Sequence, residues 1–169
     1  YNYSAEFENS SVWKKVNVPY RVLNTGISGV NARGELTIEP GVTIEMSPGT
    51  EINIRDTGGL KMVGNAANPI TIKGVSNTPG SWVGIKIDGT NPMNEIAFAT
   101  ISNAGEDPST NKGAIDLWYN AKLSVHDTQF KDLASCGVYG RLLGSQTSNP
   151  NYSSYNLTFT NTPCSEFFE

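Results

Sequence analysis

Asp116, His126, Asp127 and Asp132 are the residues of this chain best suited to moving a proton. A histidine near a carboxylate can act as a general base in the physiological pH range. His126 follows Val125 in an alternating run, so its ring is expected to face solvent while Val125 faces the core. Adjacent strand residues point to opposite sides, so His126 and Asp127 do not pair by adjacency alone. Flat rings stand nearby. With Ile115 and Leu117 directed inward, Trp118 is expected outward, as is Tyr139 next to Val138, and Tyr119 sits at a bend. Such rings stack on the apolar face of a sugar while polar neighbours such as Asp116 and Asn120 take its hydroxyls. Asp116, Trp118, Tyr119, His126 and Tyr139 therefore form the candidate ligand-binding surface. The competing expectation is that Trp118 packs beneath residues 106–112 or against a neighbouring domain.

Polysaccharide cleavage asks for more than this. A lyase needs an Arg or Lys base beside acids that hold Ca²⁺, and a hydrolase needs carboxylates facing one another across a sugar bond. By alternation, Glu35, Glu39, Glu45 and Glu51 lie on the solvent side, spread over different faces among Arg55, Lys61 and Lys73. That pattern reads as a solvated exterior, and catalysis is not expected from it. One His and two distant Cys lack zinc spacing. The acids of "EDPST" or "DTGG" are too few for a Ca²⁺ cage, so no metal or cofactor is expected. Thr37, Thr43 and Thr71 read as too few and out of register for an ice-binding face, and Trp82 in "WVGI" reads as structural.

The elements that must hold these residues are very short. Leu36-Thr37-Ile38, Val42 to Met46, Ile52-Asn53-Ile54, Ile70-Thr71-Ile72 and Val83 to Ile87 each alternate apolar and polar residues, as strands with one buried face do. Between them stand "EPG", "SPGT", "DTGG", "NAANP" and "SNTPG", where Gly and Pro set sharp bends. No window keeps a helical period. Strands of three to five residues joined by bends suit a solenoid, in which each strand pairs with its counterpart one coil away. A repeat supports this: aligning 96–107, 125–136 and 154–165 superposes Ile101, Phe130 and Phe159, with Asn103, Asp132 and Asn161 two places later. Some five to six coils of roughly 22–29 residues, spaced about 4.8 Å apart, are expected. Residues 1–33, with Trp13, Tyr20 and Val22, are expected to cap the first coil, and "CSEFFE" to shield the last.

Composition fits an all-β chain: 37% hydrophobic, with 17 Gly and 9 Pro spread over 169 residues. Net charge is −4, and the longest basic run is Lys14-Lys15, which excludes nucleic acid as a partner. No apolar run is long enough to span a bilayer and no signal peptide is present, so "YNYSAEFENSS" reads as the start of a mature or trimmed chain. Cys136 and Cys164 fall at nearly equivalent places in successive coils. Stacked Cα atoms about 5 Å apart would permit a disulfide, and two buried thiols are the other reading.

"LTIEPGVTIEM", "GGLKMVGNAANPITIKG", "WVGIKIDG", "ISNAG" and "GAIDLW" together resemble the right-handed parallel β-helix repeat domains of secreted bacterial proteins, which have the pectin-lyase-like fold. The likeness runs from about Tyr20 to Phe168 and is most specific over Leu36 to Gly89. It implies an all-β, right-handed parallel β-helix over 34–169 following a cap over 1–33. It also implies placement at the bacterial cell surface, outside the cell or in a lipoprotein, beside other domains of one parent chain. Most such modules have no demonstrated catalysis, while some relatives are polysaccharide lyases, hydrolases or epimerases, so fold alone does not choose. The expectation is a non-catalytic structural or adhesive module whose partners are a polysaccharide, a cell-surface glycan or neighbouring domains. The alternative is a glycan-binding domain or a fragment of a polysaccharide-active enzyme.

Overall fold

The computed structural model describes residues 2–3, 5–25, 29–106 and 112–169. Its strands fall into three parallel sheets, and the chain visits them in rotation. The first sheet takes Asn2–Tyr3, Tyr20–Val22, Thr43–Met46, Ile70–Gly74, Ala99–Ser102, Gln129–Lys131 and Thr158–Thr160. The second takes Ala5–Phe7, Gly29–Ala32, Glu51–Ile54, Gly84–Ile87, Gly113–Leu117, Cys136–Gly140 and Glu166–Phe168. The third takes Ser11–Trp13, Glu35–Ile38, Gly59–Val63, Glu95–Ala97, Leu123–His126 and Tyr152–Tyr155. The result is a right-handed parallel β-helix of six full windings and two strands of a seventh, slightly longer than expected.

Register decides where each side chain goes. Ile72 lies beside Ile44 and Ile101, Ile101 beside Phe130, and Phe130 beside Phe159. The 29-residue alignment therefore matches the pairing residue for residue. These apolar rows, with Ile52, Ile85, Ile115 and Val138 from the second sheet and Met62, Ile96 and Val125 from the third, fill one continuous core. Phe130 is fully buried and stacks on Phe159 with centroids 5.1 Å apart. No single winding could close such a core, so the stacking of neighbours supplies the stability. Trp82 is also fully buried, its indole N–H donating to the Ser102 carbonyl at 2.8 Å.

The bends use the left-handed backbone region. Asn103, Asp132 and Asn161 have φ of 63°, 51° and 52°, and Phe98, Asp127 and Asn156 have φ of 48°, 48° and 52°. Asn and Asp tolerate this conformation better than other non-glycine residues. Their side chains also bond along the axis: Asn161 Nδ2 donates to Asp132 Oδ1 at 2.8 Å, and Asn156 Nδ2 to Asp127 Oδ1 at 3.0 Å. Bend backbone is bonded by buried Asn94 and Asn149, Asn94 accepting from the Leu60 amide at 2.7 Å and Asn149 donating to the Ala121 carbonyl at 2.9 Å.

The segments expected as covers, 1–33 and the "CSEFFE" end, supply the terminal strands of the same sheets. Two expectations need correction. Thr43 and Thr71 do share a register, and the row continues through Thr100, Gln129 and Thr158. Glu51 is not solvated: its row neighbours are Gly29 and Gly84, and a Cβ on Gly29 would fall 2.2 Å from the Glu51 carbonyl oxygen. It is buried, with its carboxylate 2.8 Å from Lys86 Nζ.

Candidate functional site

The outer face of the second sheet carries one row across successive windings: Asn53, Lys86, Asp116, Tyr139 and Phe167. Alternation places all five away from the core, as the sequence implied for Tyr139. Facing outward does not leave them open. Asp116 and Tyr139 are each only 1% exposed. Arg141, at the end of the next strand, lies across them: its Nη2 donates to Asp116 Oδ2 at 3.0 Å. Its guanidinium sits 4.6 Å from the Trp118 ring centre and 5.3 Å from that of Tyr139. Phe167 stacks on Tyr139 from the following winding, with centroids 6.1 Å apart. The Tyr139 hydroxyl donates to Glu169, which also takes Lys112.

Burial pushes the Asp116 carboxyl above the ordinary carboxylate range although Arg141 pulls it down. Its Oδ1 has no hydrogen-bond partner among the described residues. Burial also raises the Tyr139 phenol, reinforced by its bond to Glu169. Arg141 and Glu169 thus engage these groups, apart from the buried Asp116 Oδ1. Trp118 is half-buried and, with Asn53, Arg55, Lys86 and Asp88, lines a cleft of about 250 Å³ on the same face. Tyr119 is half exposed at a bend with φ 55°. The loop expected to cover Trp118 lies, from 107 to 111, outside the described residues.

His126 is elsewhere. It closes a strand of the third sheet and does not join Asp116, Trp118 and Tyr139. Its Nδ1 lies 2.8 Å from Asp127 Oδ2 and its Nε2 3.1 Å from Glu95 Oε1. The pairing with Asp127, not expected between strand neighbours, arises because Asp127 leaves the strand with φ 48°. Tyr155 of the next winding stacks on the imidazole at 4.6 Å, and Phe98 of the previous winding meets it edge-on at 6.1 Å. Burial alone would lower the His126 pKa, but the two carboxylates outweigh it and raise it. An imidazolium that donates from both nitrogens is a clamp between windings and has no lone pair left for a substrate proton.

The remaining acids are dispersed. Glu45 on the first sheet pairs with Arg21 at 2.6 Å and Lys73 at 3.8 Å, Glu51 belongs to the second sheet, and Glu35 to the third. Cys136 and Cys164 are joined as a disulfide with Cα atoms 4.5 Å apart, tying the last two windings. The Lys112–Glu169–Tyr139 contact, the Arg141 lid and the left-handed Phe98 were not anticipated, since none depends on a local pattern.

No curated protein and no solved structure matches the chain. Residues 7–130, well over half its length, match the family described as the pectate-lyase like beta helix domain. The parallel three-sheet winding is what that match requires. On both counts the chain belongs to the pectate-lyase-like β-helix family.

Proposed function

We propose that this chain is a non-catalytic structural or adhesive module of a secreted or cell-surface bacterial protein. Its family supports a secreted or polysaccharide-related setting. The observation that carries the non-catalytic reading is the engagement of its best proton-moving groups. Asp116 is held under Arg141, and His126 is gripped by Asp127 and Glu95. A base so committed must first break an ion pair before it can act. Reducing-sugar and unsaturated-product assays on acidic polysaccharides should be blank, and Asp116→Asn or His126→Gln should change melting only. Turnover abolished by either substitution would overturn the reading.

The cleft beside Trp118 favours a second reading, that of a glycan-binding surface. Arg55 and Lys86 flank the indole there. An aromatic ring beside Arg55 suits a sugar bearing a carboxylate, with Asp88 placed to accept from its hydroxyls and Lys86 held by Glu51. Micromolar binding on a glycan array that is lost in Trp118→Ala would support this reading, and a blank array would end it.

A further inference from the structure

A larger cleft, of about 370 Å³, opens at the corner where the chain passes from the third sheet to the first. It is separate from the Trp118 cleft, and the two share no lining residue. Phe98 and Pro69 give it apolar surface, while Asn65, Asp127, Gln129 and Asn156 bring amides and one carboxylate. None of its lining residues is Lys or Arg.

Two features mark this corner. Asp127 is fixed in position, its Oδ2 against His126 Nδ1 and its Oδ1 accepting from Asn156 Nδ2. Those bonds hold its carboxyl below the ordinary range, so the group stays ionised and preoriented. Phe98 meanwhile occupies a bend at φ 48°, where the next two windings place Asp127 and Asn156. A bulky residue in that region is a true outlier, whereas Asn and Asp enter it readily. The chain thus has the easily accommodated residue in two windings and an aromatic one where the cleft opens. Strain of this kind concentrates at ligand-binding positions.

We propose that this corner cleft binds one ring of a neutral, hydroxyl-rich saccharide. Phe98 and Pro69 take the apolar face of the ring. The Asp127 carboxylate accepts from sugar hydroxyls, and the Gln129 and Asn65 amides both donate and accept. Such an amphipathic ring with a polar rim matches a lining of this mixture. No cation lines the cleft and Asp127 is already paired with His126, so a sugar carboxylate finds no ion-pair partner here, whereas Arg55 and Lys86 line the Trp118 cleft. The site stands on its own geometry and does not depend on binding at Trp118.

The test is ¹H–¹⁵N NMR titration of the whole chain. The probes are hexasaccharides of glucose, mannose, xylose and N-acetylglucosamine, with hexagalacturonate as the acidic comparison. At least one neutral probe should shift the Asn65, Phe98, Gln129 and Asn156 signals, and hexagalacturonate should not. Phe98→Asn should weaken that binding at least about tenfold and raise the melting temperature, since Asn accepts the backbone angle. A merely structural Phe98 would not couple a gain in stability to a loss of binding. Gln129→Ala, at an exposed position, should weaken binding with melting unchanged and serves if Phe98→Asn does not fold. The proposal is overturned if no neutral probe binds by about 10 mM. It is equally overturned if both variants bind like the parent, or if shifts fall only around Trp118 and Lys86. Shifts there with hexagalacturonate would leave the glycan reading of the second sheet standing while this site fails.

Discussion

Replacing Arg141 with Met strands a carboxylate. The Asp116 side chain is only 2% exposed and, among the described residues, Arg141 is the cation hydrogen-bonded to it. Breaking a buried pair from one side costs about 3–5 kcal/mol. Arg141 is itself 28% exposed, so water reaches part of the vacated space and the lower end, about 3 kcal/mol at pH 7, applies. The methionine keeps much of the contact with the Trp118 and Tyr139 rings, so little is added for lost stacking. For a chain of this size that is a fall of roughly 6–12 °C in melting temperature. The loss must also depend on pH. Burial already raises Asp116, and losing Arg141 raises its folded-state value further. Above the unfolded value of about 3.9, the folded chain then binds a proton that the unfolded chain has released, so stability falls as pH climbs through that interval. The deficit should be full at neutral pH and shrink as pH falls to about 3, below the unfolded value, where both states are protonated. Urea melts at the two pH values measure it, and adding Asp116→Asn should recover at least half. A deficit below about 1 kcal/mol at neutral pH, or one equal at both, refutes the reasoning.

Three further outcomes are expected. His126, the sole histidine, should titrate above about 6.5 by NMR because Asp127 and Glu95 outweigh its burial. Its raised value stabilises the fold fully below the unfolded pKa, and that contribution is lost as pH rises through the folded one. His126→Gln should therefore flatten the stability profile on the alkaline side, and a midpoint at or below the ordinary value would contradict the clamp. Cys136 and Cys164 lie 28 residues apart, so removing both sulfurs should cost about 3.5 kcal/mol by loop entropy, with hydrogen exchange accelerating first over residues 152–168. Asp132→Ala places a Cβ-branchless but non-glycine residue at φ 51° and removes the acceptor for Asn161, so it should cost about 1–2 kcal/mol in thermal melts, and Asp132→Gly less.

Much of the winding was legible because the last turns keep a 29-residue spacing in the first and third sheets, although the second sheet departs from it, with Ile115 and Val138 only 23 residues apart. Ile101, Phe130 and Phe159 announced their own stacking, and the two cysteines their neighbourhood. The first turns were not legible. Arg21 meets Glu45 after 24 residues and Asn2 meets Arg21 after 19, so no fixed spacing links them to the rest. Alternation also gave the direction of Tyr139 and Asp116 but not their burial, since their covers are Arg141 and Phe167. Those contacts cross from one winding to the next. Similarly, Glu95 reaches His126 across 31 positions, and the Asp127 contact turns on one backbone angle, neither of which a local pattern encodes.

Because Thr100 and Gln129 occupy equivalent places in neighbouring windings, the rod's length is adjustable. Excising residues 100–128 would join Ala99 directly to Gln129 and leave every remaining partner in phase: Phe130 would settle on Ile72, and Val138 on Ile85. The shortened chain should lose about 4.8 Å of reach and no interior contact type. The rod's length can thus be set in fixed steps, as on a ruler graduated in single turns.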